Sequence, residues 1–212
     1  MASDDTQTKV SFVEILHQAA AYYQAPQGSE GLLQPTPTMV VEALLEAEKA
    51  AKRQRLTYPL LPLLGQWRLC FATGTRKLRR RGGIALGKGF YLPRFTPAYI
   101  SFYDRSDDKS VIVPEQVAIS NQIQFSGLKL RFTGPAKYLG KNNILAFDFT
   151  HLQVTLFGRS LYSGNIRSGK SQTTEFAQES VANLPFFAFF LVTPDLIAAR
   201  GRGGGLALWI RE

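Results

Sequence analysis

The sequence predicts a mainly β protein, an antiparallel barrel of about eight strands preceded by two N-terminal α-helices. Helical periodicity is confined to the first 56 residues of the 212-residue chain. From position 57 onward, short segments of alternating polarity recur between turn residues, and most have no helix-length pattern between them. These observations favour a meandering antiparallel sheet, with a helical segment (1–56) that packs on a barrel (57–212).

The helical segment contains two patterns. Apolar residues recur at helical spacing from Val10 to Tyr23. A second helix is predicted from Pro37 to about Arg55, because Thr36 is suited to cap its first turn and proline suits the first helical position. We expect the first helix to pack against the barrel, since a membrane-surface helix would carry more basic residues than this one does.

The first strand of the predicted barrel lies in Leu63–Thr73. From Trp67 the stretch alternates, so that Trp67, Leu69 and Phe71 share one face and Arg68, Cys70 and Ala72 share the other. The lone cysteine of the chain excludes an internal disulfide and suits a reducing compartment. With no nearby basic partner in the sequence, we interpret it as a small core residue.

Further strand patterns follow along the chain. They lie at 98–103, 111–113, 116–125, 128–133, 144–149, 151–157 and 206–210. A closed barrel of about eight strands is wide enough to hold one small ligand. The run Phe186–Val192 is the longest apolar stretch and is too short to span a bilayer.

Charge is divided unevenly along the chain, whose net charge is +9. Residues 1–56 carry five Lys/Arg and seven Asp/Glu, whereas residues 57–212 carry twenty and nine, a net of +11. A basic barrel favours an anionic partner. The polar, acidic N-terminus resembles neither a secretory signal nor an Arg-rich transit peptide, so we do not expect secretion.

One basic cluster follows the first strand and consists of Arg76, Lys77, Arg79, Arg80 and Arg81. Such a run attracts anionic membrane headgroups, at about 1 kcal/mol per cation near the surface. The simpler alternative is a solvated loop. Nucleic acid is disfavoured as a partner, because no RNA-binding signature accompanies the nearby aromatic residues.

The segment Gly164–Ser171 matches the phosphate-binding pattern G-x-x-x-x-G-K-[ST]. There Lys170 would contact phosphate and Ser171 would contact magnesium. The motif requires a buried parallel strand before it and a helix after it, whereas the neighbouring segments alternate like antiparallel strands. We therefore interpret the match as a chance hairpin loop and predict that the protein is not an enzyme.

A second candidate site is the polar side of the segment 151–157, where His151, Gln153 and Thr155 share one face. If that face lined the barrel interior, these side chains could orient the polar end of a ligand. The alternative is an exposed polar face. Metal binding is not expected, because one cysteine and two distant histidines form no ligand cluster.

Three motifs in order carry a resemblance to a known family. They are the L-x-G-x-W strand at Leu63–Thr73, an Asn before apolar alternation in Ile119–Phe125, and the R-G-x-x-G pattern within Leu196–Trp209. In this order and spacing, over roughly residues 10–210, the chain resembles the plastid-lipid-associated protein (fibrillin) family of plastids and cyanobacteria.

The resemblance implies a lipocalin-like barrel without catalytic residues or a required cofactor. It further implies a bound carotenoid, quinone or acyl lipid, and association with thylakoids or plastoglobules in a cyanobacterium or a plastid. In lipocalin-like barrels an arginine from the last strand region covers the first-strand tryptophan. Arg200 best matches that position opposite Trp67, with Arg211 as the alternative.

We therefore expect a lipid-associated structural or carrier protein that docks peripherally on an anionic membrane or lipid-globule surface. Two alternatives stay open. The barrel could act on a tetrapyrrole or prenyl substrate, as lipocalin-like chromophore lyases do. The acidic helices could instead bind a photosynthetic protein partner, which would make the chain an assembly factor.

Overall fold

The computed structural model describes residues 11–26, 31–74, 89–105, 117–166 and 173–212. Three α-helices are present in these ranges: α1 (Phe12–Gln24), α2 (Pro37–Gln54) and α3 (Thr173–Gln178). Capping residues define where the first two begin. Ser11 and Glu14 form a capping box at α1, and the Thr36 hydroxyl accepts a hydrogen bond from the Met39 amide at α2.

The described residues also contain eleven strands, all paired antiparallel. They are β1 (Gly65–Ala72), β2 (Phe90–Tyr91), β3 (Ala98–Asp104), β4 (Val117–Phe125), β5 (Leu128–Leu139), β6 (Ile144–Phe147), β7 (His151–Leu156), β8 (Arg159–Asn165), β9 (Phe186–Val192), β10 (Leu196–Gly201) and β11 (Leu206–Arg211). Eight of them close in the order β4-β3-β1-β11-β10-β9-β6-β5, because β5 also pairs with β4. The predicted mainly β, lipocalin-like barrel behind two helices is confirmed.

The alternation predicted for β1 is broken by an irregularity in its pairing with β11. The register shifts between Leu69 and Phe71, so the two residues fall on different sides of the barrel wall. Trp67 lies in the interior cluster, whereas Phe71 joins Cys70 in the cluster beneath the helices. The prediction that Phe71 shares a face with Trp67 was therefore wrong.

The two N-terminal helices cover the outside of β1 and β9–β11. Buried residues of α1 and α2, such as Leu16 and Leu44, form an outer cluster with Cys70, Leu208 and Phe190. Burial raises the pKa of the Cys70 thiol, as expected for a small core residue. On the neighbouring side, α3 is held against β5 by Lys137, whose ammonium donates to three backbone carbonyls at the end of that helix.

Aromatic rings pack through the barrel interior. Phe102 contacts Phe189, and Phe187 contacts both Trp209 and Phe147 at centroid distances of 5.1–6.0 Å. One end of the barrel, here called the closed end, is covered by Leu60 and Leu63 from the segment before β1. Hydrogen bonds tie this segment down, since Tyr138 donates to the Tyr58 carbonyl at 2.8 Å and Asn143 bonds the backbone of Leu56 and Tyr58.

The sheet extends beyond the barrel at the end opposite the closed end. The strand β5 is twelve residues long; its C-terminal part pairs with β6, and its N-terminal part pairs with β7, which in turn pairs with β8. We call this extension the wing; it comprises Asn121–Phe125 of β4, Leu128–Thr133 of β5, and the strands β7 and β8.

Some elements differ from the sequence prediction. The strands β2, β8, β9 and β10 and the helix α3 were not predicted, and β5 extends six residues beyond the predicted end at Thr133. The strand pattern at 111–113 lies outside the described residues. Among the residues described, no helix combines the length and hydropathy needed to cross a bilayer.

Candidate functional site

The wing has one apolar and one polar face. On the strand β5, Ala136 and Tyr138 belong to the interior cluster, so residues of the same parity continue the interior side into the wing. Strand register extends this face to the neighbouring strands. The apolar face is formed by Ile123, Phe125, Leu128, Leu130, Phe132, Leu152, Val154 and Leu156.

Contacts between rings join the apolar face to the barrel core. Phe132 lies 5.7 Å from Phe149, which lies 5.1 Å from Phe147 of the interior cluster (centroid distances). Toward the outer end of the wing the side chains become exposed. Ile123 is 41% exposed and Phe125 is 57% exposed. The apolar face therefore extends from the barrel core toward solvent, with Asn121 as a polar residue on the same side.

Two hairpin turns meet at the tip of the wing. The Phe157 amide donates to the Gly127 carbonyl at 2.8 Å, which ties the β7–β8 turn to the β4–β5 turn. The Phe157 ring packs directly over Gly127, where a Cβ would approach the ring to 2.3 Å. Glycine at position 127 is thus required for the two turns to come together with this ring between them.

Phe157 combines an unfavourable backbone with an exposed ring. Its φ is +45°, in the left-handed region that bulky residues rarely adopt, and Gly158 follows at +81°. The side chain is 79% exposed, so little intramolecular burial offsets the backbone strain. Phe157 is therefore an exposed aromatic residue at the first position of a two-residue hairpin turn, where glycine, asparagine or aspartate is the usual residue.

A further aromatic residue extends the tip toward the barrel wall. Phe95, from the segment before β3, lies 6.5 Å from the Phe125 ring and is 73% exposed. Leu161 and Tyr162 of β8 are exposed as well. The sequence contained a signal for this site, namely two turns in which an aromatic residue is followed within two positions by glycine, but the apolar residues were interpreted as core.

The polar candidates from the sequence, His151, Gln153 and Thr155, lie on the other face of the wing. They pair with Thr133, Arg131 and Lys129, which have the parity opposite to the interior residues of β5. The imidazole of His151 contacts the Ser163 hydroxyl at 2.9 Å and the Asn165 amide oxygen at 3.3 Å. The condition for a ligand-orienting role inside the barrel is not met, because this face points away from the interior.

The arginine over Trp67 is Arg211, and the prediction of Arg200 was wrong. The Arg211 guanidinium carbon lies 3.9 Å from the Trp67 ring centroid, and its nitrogens donate to the carbonyls of Pro62, Leu64 and Pro194. Trp67 is fully buried and donates to the Leu63 carbonyl at 2.8 Å. The contact between Arg211 and Trp67 joins the last strand to the first strand at the closed end of the barrel.

Arg200 instead joins the barrel to a helix. Its neighbour Ala199 faces the interior, so Arg200 points outward, where its Nε donates to Glu48 of α2 at 2.9 Å. That hydrogen bond, together with the one from Lys52, holds the pKa of the Glu48 carboxyl below its usual range despite burial. Arg200 also donates to the Gly204 carbonyl at 2.7 Å, which ties the β10–β11 turn to the same site.

Two sequence candidates lie wholly or partly outside the described residues. The basic cluster Arg76, Lys77, Arg79, Arg80 and Arg81 lies outside them altogether. Of the segment Gly164–Ser171, Gly164 and Asn165 end the strand β8, which is antiparallel to β7, and Ile166 follows. The rest of the segment lies outside the described residues, and β8 is not the parallel strand that a phosphate-binding loop follows.

Within the described ranges, no group of three or more His, Cys, Asp or Glu side chains is positioned to hold a metal ion. The exposed apolar side chains of the wing, with Phe125 and Phe157 at its tip, form the candidate functional site. Comparisons with protein-family models, with curated proteins and with solved structures find no match to this chain.

Proposed function

We propose that the protein is a peripheral lipid-binding protein, a structural or carrier protein that docks on a membrane or lipid-globule surface through the tip of its wing. The exposed, strained Phe157 beside Phe125 carries this proposal. A hydrophobic small molecule, a carotenoid, quinone or acyl lipid, is the ligand class that the resemblance to fibrillins implies. Such a ligand would lie along the apolar face, since aromatic side chains pack the barrel interior.

The expected strength of docking follows from the exposed rings. Fully burying a phenylalanine contributes about 1.5–3 kcal/mol. Phe95, Phe125 and Phe157 are each more than half exposed, so inserting all three would contribute roughly 3–6 kcal/mol. Binding of that size is reversible and needs a second attraction to become stable.

Positive charge could supply that second attraction. The barrel region, residues 57–212, carries twenty Lys/Arg against nine Asp/Glu. Lys129 and Arg131 lie on the polar face of the wing, close to the tip. Anionic headgroups would then strengthen docking by about 1 kcal/mol for each cation that reaches the surface, and added salt would weaken it.

Flotation with vesicles of defined composition tests docking. We expect the wild-type chain to float with anionic vesicles at low salt, and Phe125→Ser and Phe157→Ser each to reduce the bound fraction severalfold. Leu61→Ser is the matched control, because Leu61 is 64% exposed but lies in the segment at the closed end. Absence of wild-type binding to every vesicle, or an equal loss in the Leu61 variant, would refute the proposal.

Extraction of the purified protein with organic solvent tests carriage. We expect a carotenoid, quinone or acyl lipid to co-purify with the wild-type chain and to be depleted in Leu130→Ser, which changes the middle of the apolar face. The Lys129→Ser variant on the polar face is the control. A wild-type protein that yields no lipid or pigment after expression in a photosynthetic host would contradict the carrier role.

A further inference from the structure

A second potential binding site lies outside the barrel, where the end of α1 meets the segment between β2 and β3. This cleft has a volume of about 490 Å³, within the range of small-molecule sites. We call it the tyrosine cleft, because three tyrosines line it. The residues used below are Tyr22, Tyr23, Tyr91, Arg94 and Phe95.

Arg94 is the charged residue of the tyrosine cleft. Its guanidinium lies 5.3 Å from the Tyr22 ring centroid and 5.9 Å from that of Tyr23, and one of its nitrogens donates to the Tyr22 carbonyl. Arg68, behind the cleft, donates to the Arg94 carbonyl at 3.2 Å and so helps to position this segment. Among the described residues, the Tyr22 carbonyl is the hydrogen-bond acceptor that this guanidinium contacts.

No acidic side chain is found among the described lining residues of the tyrosine cleft. The four carboxylate ion pairs within the described ranges involve Lys49, Lys52, Arg68 and Arg200, not Arg94. A guanidinium fixed among aromatic rings without a carboxylate partner is a ready site for an external anion, because its paired N–H groups match the geometry of a carboxylate.

The Tyr23 hydroxyl is buried next to the cleft. Tyr23 is 3% exposed, yet its hydroxyl has no hydrogen-bond partner. The Nε of Arg68 is buried nearby and also lacks a partner, with the Arg68 guanidinium 5.2 Å from the Tyr23 ring centroid. Arg68 is the nearest polar neighbour of the Tyr23 hydroxyl, and both groups are buried behind the cleft rather than open to it.

The aromatic rings around the Arg94 guanidinium indicate the kind of ligand that would fit the cleft. Tyr22 and Tyr91 meet edge to face at 6.0 Å, and the Tyr91 hydroxyl is occupied by the Pro35 carbonyl at 2.9 Å. The Tyr91 ring thus offers an apolar surface rather than a donor. Phe95 borders the cleft with an exposed ring. A planar ring fits such walls through offset or edge contacts.

We propose that the tyrosine cleft binds a small aromatic carboxylate. The carboxylate pairs with the Arg94 guanidinium, and the ring packs against Tyr22, Tyr91 and Phe95. This site goes beyond the proposed function: it lies at the end of α1 and shares only Phe95 with the docking tip, and it uses neither the apolar face of the wing nor the barrel interior.

Isothermal titration of the full chain with 1-naphthoate tests the proposal, with 1-naphthalenemethanol as the neutral analogue and decanoate as the non-aromatic carboxylate. We expect naphthoate to bind at least about tenfold more tightly than either. No naphthoate binding at millimolar concentration would overturn the proposal. Equal affinity for the neutral analogue would overturn the role of the carboxylate, and equal affinity for decanoate would overturn that of the ring.

Variants locate the site. Arg94→Gln should weaken naphthoate binding about tenfold or more, whereas Arg159→Gln, an exposed arginine on β8, should leave it unchanged. Phe125→Ser should also leave it unchanged, which separates this site from the wing. Unaltered affinity in Arg94→Gln would overturn the assignment.

Chemical-shift mapping on the wild-type chain gives a test that does not depend on a variant folding. Naphthoate should perturb the backbone amides of residues 22–25 and 91–95. Perturbations confined to the wing or to other surfaces would overturn the proposal.

Discussion

Replacing Arg211 with methionine should destabilise the closed end of the barrel. Methionine keeps a long apolar stem but removes the three donors to the carbonyls of Pro62, Leu64 and Pro194, and the cation over Trp67. Because these acceptors come from the segments before β1 and before β10, the guanidinium joins two otherwise separate connections. The loss should therefore appear in the global free energy of unfolding rather than as local fraying.

The magnitude follows from the contacts. A hydrogen bond contributes about 1 kcal/mol net, and the cation–π contact roughly 1 kcal/mol at a partly exposed site. Rehydration of the freed carbonyls and packing of the methionine offset part of this sum. We expect a loss of about 2–4 kcal/mol, which lowers the melting temperature by roughly 5–15 °C in a chain of this size.

Urea unfolding monitored by tryptophan fluorescence measures this loss. Arg159→Met is the matched control, since Arg159 is exposed on β8 and remote from Trp67. Arg200→Met tests the assignment of the tryptophan contact, because it should leave the emission of folded Trp67 unchanged. An Arg211→Met protein within about 0.5 kcal/mol of the wild type would refute the reasoning.

Three further outcomes are expected. Trp67→Ala should cost about 3–5 kcal/mol in urea unfolding, because it empties a fully buried site in the barrel; a cost below 1 kcal/mol would contradict the interior packing. Glu48 has a lowered pKa in the folded state, so its pairing with Arg200 stabilises the fold above the unfolded pKa of about 4.3 and is lost as the pH falls through the folded pKa. Glu48→Gln should thus show a shallower loss of stability in acid than the wild type, and parallel curves would exclude the pair as a contributor. Phe157→Gly should relieve the left-handed backbone and raise stability by about 0.5–1 kcal/mol while weakening flotation with vesicles; unchanged flotation would remove Phe157 from the docking surface.

The strands β9 and β10, which are covered on both faces, were not predicted from the sequence. In the strand β9, Phe189 faces the barrel interior and Phe190 faces the helices, so the run has no polar alternation. In the strand β10, Ala198 faces the helices and Ala199 faces the barrel interior. Because the helices cover the outer face of β9 and β10, apolar residues occupy both faces and no alternation of polar and apolar residues remains.

The candidate site was only partly visible in the sequence, because side assignment depends on long-range register. The alternation around His151 was correct, but only its pairing with Thr133 of β5 reveals that this face points away from the interior. The choice between Arg200 and Arg211 likewise depends on how β11 aligns with β1, where Trp67 pairs with Arg211. The register shift between Leu69 and Phe71 places Phe71 on the outer side of the barrel wall, whereas the sequence predicted the same side as Trp67.

The pairing of β1 with β11 has a consequence for the order of folding. The first barrel strand finds its neighbour at the far end of the chain, and the outer cluster of α1 and α2 needs that same neighbour, through Leu208 and Ile210, to cover its apolar stripe. Both helices are therefore synthesised before their main docking surface has been made, and most of the stability of such helices comes from packing. Contacts this distant in sequence place folding in the range of milliseconds to seconds, after the last strand has been released.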